Sequence, residues 1–326
     1  MASDKIFVWL TTAVICSLLL TAGCGEPAGE KTMLALKFKP QDSATYKVTT
    51  QLEDGIKFEG SSLKEADFKD SRNHKSVEMI FDQQIQSTDG KGNAIAKITI
   101  NGLKYLSIHK NKTVLDFDSS REKDTNSPMA KLIGQSYTIE IAPTGQVSKI
   151  IDVEQAKATV KGGSLANRAA VELLSPDAIQ ERHTISALPV TDKKQLKKGD
   201  NWSSVKTFSF GLMGAKSYER IYTLKEVEEQ DGQRIAVVEM DAIPTSEMAE
   251  QLHKEQAASF FSKMFDNVEA YTGQLRLDLT TGKVEKYLEK LQSQWVAVDT
   301  EGVQEGEEPA TLKMSAVRAY SLEKID

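Results

Sequence analysis

Apolar and polar residues alternate with a period of two along most of this chain, the pattern of antiparallel strands with one buried and one wet face. Leu34, Leu36 and Phe38 alternate with Ala35, Lys37 and Lys39 and predict a first strand, which Pro40-Gln41-Asp42 turns. Tyr46, Val48, Thr50 and Leu52 continue the alternation, and the polar stretch from Gly60 to Lys75 reads as an exposed excursion. Val77, Met79, Phe81 and Ile85, then Asp89-Gly90-Lys91-Gly92, then Ala94, Ala96, Ile98 and Ile100 predict a hairpin, because the glycines supply the positive φ its turn needs. Leu103 to Phe117 predicts two more strands around His109-Lys110-Asn111-Lys112, and Tyr137, Ile139 and Ile141 lead through Pro143-Thr144-Gly145 into a returning strand at Val147.

The period changes at Val153. From there to about Ala187 apolar residues fall at helical spacing, broken at Gly162-Gly163, with Ser175-Pro176-Asp177 supplying a cap and a first-turn proline. Strand patterning resumes afterwards, and its turn signals come in the earlier order. Gly199-Asp200 matches Gln41-Asp42, Asp231-Gly232 matches Asp89-Gly90, and Gly282-Lys283-Val284 matches Gly145-Gln146-Val147, which suggests duplication. Leu275, Leu277 and Leu279 match Tyr137, Ile139 and Ile141 only if the first turn is one residue longer. Pro244-Thr245-Ser246 opens a predicted helix over about 245–268, with Met248, Leu252, Phe260, Phe261, Met264, Phe265 and Val268 along one side. The last strand runs through Leu312, Met314, Ala316, Tyr320 and Leu322, and Arg318, which breaks its apolar face, is expected at a sheet edge.

Together these elements predict a β-rich α+β fold: two antiparallel sheet units of the curved half-barrel type, joined by a helical connector, with one long helix packed on the second unit. The predicted boundaries are 33–152 for the first unit, 153–190 for the connector and 191–326 for the second unit.

The amino terminus sets the compartment. Lys5 precedes an apolar run from Ile6 to Ala22 that ends in small residues, the layout of a secretory signal. At 17 residues the run is short for an uncleaved membrane helix, the competing reading. Leu20-Thr21-Ala22-Gly23-Cys24 resembles the lipobox of bacterial lipoprotein precursors. That resemblance implies a signal peptide over 1–23, a diacylglyceryl group on Cys24 and a lasting anchor, with 24–32 as flexible tether; more than one acyl chain is needed to hold a protein at a bilayer. Gly25, where Asp would favour inner-membrane retention, makes the outer membrane the expected location, with the body facing the periplasm or exterior.

Composition then removes several function classes. A net charge of −6 with no basic stripe argues against nucleic acid as partner. The two cysteines are Cys16, inside the signal, and Cys24, so the body has neither a disulfide nor a thiol nucleophile. His74, His109, His183 and His253 are isolated and fit no metal spacing, so neither a metal nor a cofactor is expected. Ser61-Ser62-Leu63-Lys64 fits a catalytic Ser-x-x-Lys pattern but lacks its companions, and Gly162-Gly163-Ser164 lacks the rest of a phosphate loop. Asp116 and Asp118 share a strand face and could do acid–base work, though solvated charge describes them equally. No catalytic residue is assigned.

Leu188-Pro189-Val190, Lys198-Gly199-Asp200-Asn201-Trp202 and Thr281-Gly282-Lys283-Val284 resemble an uncharacterised family of bacterial lipoproteins of unknown function, and the layout is similar to that of periplasmic lipoprotein carriers. The expectation is a non-enzymatic envelope lipoprotein. Its apolar ligand or lipidated partner would lie against Met248, Leu252, Phe260, Phe261, Met264 and Phe265, which also fit ordinary helix-on-sheet packing. A scaffold that binds protein partners is the alternative, and a hydrolase without a recognisable motif the outside one.

Overall fold

In the computed structural model, residues 31–60, 70–191, 195–211, 214–230, 232–245, 266–299, 306 and 308–326 are described. Lys31–Asp326 is one compact unit. Its strands are β1 (Thr32–Met33), β2 (Ser43–Glu59), β3 (Ser71–Thr88), β4 (Ala94–His109), β5 (Lys112–Asp118), β6 (Ser136–Ile141) and β7 (Val147–Ile151). After three helices follow β8 (Gln195–Leu196), β9 (Asn201–Ser209), β10 (Ala215–Gln230), β11 (Gln233–Pro244), β12 (Asp266–Asp278), β13 (Val284–Asp299) and β14 (Ala310–Lys324).

All of these except β1 and β8 join one antiparallel sheet in the order β7-β6-β4-β3-β2-β14-β13-β12-β11-β10-β9, with β5 beside β4. The two predicted units are therefore halves of one sheet, fused where β14 pairs with β2. Their repetition is visible in detail. Gln41 and Gly199, both at positive φ, each open a half. Gln41 N donates to Ile85 O at 2.8 Å and Ile85 N to Asp42 O at 2.8 Å; Gly199 N donates to Leu224 O at 2.8 Å and Leu224 N to Asp200 O at 3.0 Å. A bulge follows each acceptor, at Ile85/Ser87 and at Leu224/Glu226. Ile141 pairs with Val147 and Leu277 with Val284, so it is the second turn that is one residue longer, and Ile141 corresponds to Leu277 rather than Leu279.

Other departures have local causes. Gly102 does not end a strand, because a bulge at Ile80/Phe81 absorbs the irregularity and β4 runs on to a turn at Lys110-Asn111, both at positive φ. Leu34 and Leu36 are buried as predicted, yet the segment is not a ladder strand. It is a strap: β1 pairs with β8, Leu36 N bonds Pro143 O at 2.8 Å, and Lys37 N bonds Gly282 O at 3.2 Å. The strap thus crosses the equivalent turns of the two halves. Arg318 is not at an edge either; it lies in β14, between β13 and β2. Its guanidinium bonds Glu53 O, Asp54 and Ser209 O at 2.9, 2.7 and 3.3 Å. Ser209 ends β9, five places away along the sheet, so the sheet must curl to bring them together.

The helices α1 (Val153–Thr159), α2 (Leu165–Leu173) and α3 (Pro176–His183) follow the change of period. Ser164 and Ser175 cap α2 and α3, accepting from Asn167 N and Ala178 N at 3.1 and 3.2 Å, and Pro176 takes the first turn. Of the predicted helix at 245–268, residues 246–265 lie outside the described residues, and Val268 belongs to β12. No helix among the described residues is long and apolar enough to cross a membrane.

One apolar cluster runs through both halves and under the helices, from Leu34 and Met79 through Ile98 and Ala170 to Leu275 and Leu291. A buried polar chain pins α3 inside it. Arg182 Nη1, which can only donate, bonds the Tyr137 hydroxyl at 3.1 Å, and that hydroxyl in turn donates to His183 Nε2 at 2.7 Å. Tyr320 donates to the Arg182 carbonyl at 2.8 Å. Burial first, and the Arg182 charge second, push the His183 pKa well below its ordinary value, so the ring stays neutral. The unfolded chain binds a proton there below about pH 6.5 while the folded chain does not, so stability present above that pH is lost as pH falls. Urea titrations should show His183 adding up to about 1.4 kcal/mol of loss per pH unit between pH 6.5 and 5.5, and His183→Gln should remove that part of the slope.

Candidate functional cleft

Strand β13 reads Val-Glu-Lys-Tyr-Leu-Glu-Lys-Leu-Gln-Ser-Gln-Trp, and its alternation turns Tyr287, Glu289, Leu291, Ser293 and Trp295 inward. Glu289 is the charge in that apolar row. Register places it opposite Gly273 on β12 and Tyr320 on β14. The glycine is required: a Cβ there would lie 2.9 Å from Met240 Cε and 3.4 Å from Glu289 Cγ, closing the niche the carboxylate occupies.

Five donors converge on Glu289. Arg220 Nη1 of β10 reaches Oε1 at 2.9 Å and Lys206 Nζ of β9 reaches Oε2 at 3.4 Å. The hydroxyls of Tyr271 and Tyr222 donate at 2.8 and 3.3 Å, and Tyr287 donates to Oε1. Burial works against the charge, yet Lys206, Arg220 and the tyrosine hydroxyls outweigh it and hold the Glu289 pKa below the usual carboxylate range. Burial first and Glu289 second push the pKa values of Tyr222, Tyr271 and Tyr287 upward, so all three remain donors. Two polar atoms nearby are buried with no hydrogen-bond partner: Arg220 Nε and Thr184 Oγ1.

This cluster divides a cleft between α3 and the inner face of the sheet into two chambers. The first, about 610 Å³, is lined by Val48, Leu52, Val77, Leu173, Ala178, Phe208 and Tyr271 among polar neighbours. The second, about 600 Å³, is lined by Gln146, Gln180, Thr184, Ser186, Arg220 and Tyr287. Asp177, Glu181, Lys206, Glu289 and Tyr320 line both. Each chamber has the size of a small-molecule site. A further void of about 40 Å³, beside His183 and Phe81, is far smaller. The arrangement can bind and orient a molecule that is apolar at one end and polar at the other.

The residues singled out from sequence stand elsewhere. Cys24, Ser61–Lys64, Met248, Leu252, His253, Phe260, Phe261, Met264 and Phe265 lie outside the described residues. Asp116 is exposed and bound by Arg121 at 2.9 and 3.0 Å, a hydrogen-bonded pair that keeps its pKa low, and Asp118 bonds Ser120 N and Oγ. Both carboxylates are thus occupied at the surface. His74 faces Glu53 at 3.1 Å, and His183 belongs to the polar chain under α3. The Gly162-Gly163-Ser164 turn is filled by the Asn167 side chain, within 2.8 Å of where a Gly162 Cβ would stand, and has no anion seat. Among the described residues no cluster of three His, Cys, Asp or Glu could hold a metal ion.

Comparison with known proteins adds a family and distant likenesses. The model of a family of unknown function (DUF6263) matches residues 91–284. No curated protein matches the chain. Among solved structures, one on lipid–protein interactions in lipovitellin is 10% identical with a TM-score of 0.39, covering 89% of this chain and 26% of its own, so this chain spans about a quarter of its length. DynF from the dynemicin pathway of Micromonospora chersina is 6% identical with a TM-score of 0.14, covering 89% of this chain and 85% of its own. OpdQ of Pseudomonas aeruginosa is 8% identical with a TM-score of 0.17, covering 87% and 98% respectively. At these scores the likenesses carry no argument about function.

Proposed function

The chain belongs to the family of unknown function (DUF6263) whose model spans residues 91–284, and from that premise we propose that it is a non-enzymatic envelope lipoprotein that holds an amphiphilic ligand. The two-chamber cleft carries this reading: an apolar compartment and a polar one meet at a buried, fully engaged charge cluster. Glu289 is committed to five donors and so is poorly placed to act as a general base, which supports binding over catalysis. The lipobox-like Leu20–Cys24 supports a tether that keeps the cleft beside a bilayer, where amphiphiles are found.

The anchor and the cleft are tested separately. Mass spectrometry of the amino-terminal peptide from cells should show a lipid-modified Cys24; a free thiol, or a start before residue 24, would overturn the anchor. A chain begun at Gly25 keeps every contact of the Lys31–Asp326 unit. Purified without detergent, it should carry an extractable amphiphile. Ala178→Phe, which projects from α3 into the first chamber, should abolish that retention at a folding cost of about 1–3 kcal/mol. Equal retention by the variant would remove the cleft as the site.

A protein-binding scaffold is the second reading. It draws on β9, an outer strand of the sheet whose outward residues, Asn201, Ser203, Val205, Thr207 and Ser209, carry none of the charges that usually protect an edge. Crosslinking in cells through position 205 should then capture one defined partner.

A further inference from the structure

The second chamber carries more chemical detail than the reading it rests on, in which the cleft holds an amphiphile. Arg220 is only 5% exposed, yet its Nε–H has no acceptor. Thr184 Oγ1, on another wall of the same chamber, is also buried and unpartnered. Buried polar atoms in folded proteins nearly always find partners, and an orphaned guanidinium N–H is expensive because the charge strengthens every bond it makes. Lys206 is similarly uncommitted: at 3.4 Å its bond to Glu289 is long, and its ammonium lies 5.1 Å from the centre of the Phe208 ring. Three donors thus lack a good acceptor around one space.

The acceptor is not a simple anion. Glu289 already offsets one of the two cations, and the exposed Asp177 and Glu181 line the same chamber, so a plain anion would also face two carboxylates. An anionic group deep in the chamber with a cation directed toward α3 meets every one of these charges with its opposite. We infer that the second chamber is a headgroup site for a zwitterion, in which a phosphate or carboxylate accepts from Arg220 Nε, Lys206 Nζ and Thr184 Oγ1 while an attached ammonium faces Asp177 and Glu181. The first chamber takes the attached chain.

Amphiphiles with one tail and different heads test this on the chain begun at Gly25, by calorimetry at concentrations below micelle formation. Dodecylphosphocholine should bind at least about tenfold tighter than dodecyl maltoside or dodecyltrimethylammonium, the least one charge-assisted hydrogen bond should supply, and also tighter than dodecyl phosphate. Lys206→Gln, at a half-exposed position that leaves the Arg220–Glu289 pair intact, should reduce phosphocholine binding about tenfold and leave maltoside binding unchanged. Free phosphocholine should bind weakly and compete only for the head. Head-independent binding would overturn the headgroup assignment and leave the amphiphile reading standing, with water as partner of the orphaned atoms. Tighter binding of dodecyl phosphate would overturn the role of Asp177 and Glu181. Failure of every dodecyl compound, with free phosphocholine still bound, would overturn the amphiphile reading and keep the headgroup site.

Discussion

Glu289→Ala should cost roughly 3–5 kcal/mol of folding stability, read as a fall in the urea midpoint, because it strands Arg220 as an uncompensated buried charge. The same change leaves the hydroxyls of Tyr271, Tyr222 and Tyr287 without the oxygens they now serve. Glu289→Gln, which keeps the shape and one acceptor oxygen, should cost less. Removing the pair together by Glu289→Met with Arg220→Met should recover most of the loss, since a buried ion pair stabilises little beyond its apolar replacement. If the double variant were as unstable as Glu289→Ala, the penalty would lie in packing around Gly273 and not in charge. The pair also responds to acid: with the folded pKa of Glu289 below its unfolded value, its contribution is present above about pH 4.5 and lost as pH falls through the folded pKa.

Gly282→Ala should be the second severe change, at about 2 kcal/mol or more, from two causes that act together. Gly282 has φ of 71°, where any side chain is strained. Its Cβ would also stand 2.3 Å from Lys37 N, a backbone atom of the strap that cannot rotate away. The strap would have to lift, so limited proteolysis should open first around residues 34–40. Gly163→Ala is the control: nothing lies within 4 Å of its Cβ position, and the change should stay within about 0.5 kcal/mol.

The sequence announced what is local. Asp89-Gly90 and Gly145 mark hairpins because only a few residue types take positive φ cheaply, and Ser175-Pro176 marks a helix start for an equally local reason. The β-rich antiparallel sheet with its helical connector follows from those signals. What involves partners distant in sequence was not legible. The strap alternates like a strand, but its bonds go to turns more than a hundred residues away, at Pro143 and Gly282. Arg318 broke an apolar pattern and suggested an edge, whereas it lies mid-sheet because curvature brings the Ser209 carbonyl to it.

The cleft was missed for a related reason. Lys206, Arg220 and Glu289 sit at the inward phase of three different strands, and each alone reads as a lapse in alternation. Charges of opposite sign repeated at inward positions of neighbouring predicted strands, with tyrosines in the same phase, were the available signal. Without register nothing showed that they meet.

The join between β2 and β14 has a kinetic consequence. Within the sheet the two halves meet only there, and β14 is the last 15-residue strand of the chain, its end fastened where Ile325 N bonds Thr45 O at 2.9 Å. Each half can zip up its own neighbouring hairpins early, but the closing seam waits for the final residues to leave the ribosome or translocon, and it spans almost the entire sequence. Until then two long unpaired borders stay open to other chains, so the slowest and most aggregation-prone step of folding belongs to the carboxyl terminus.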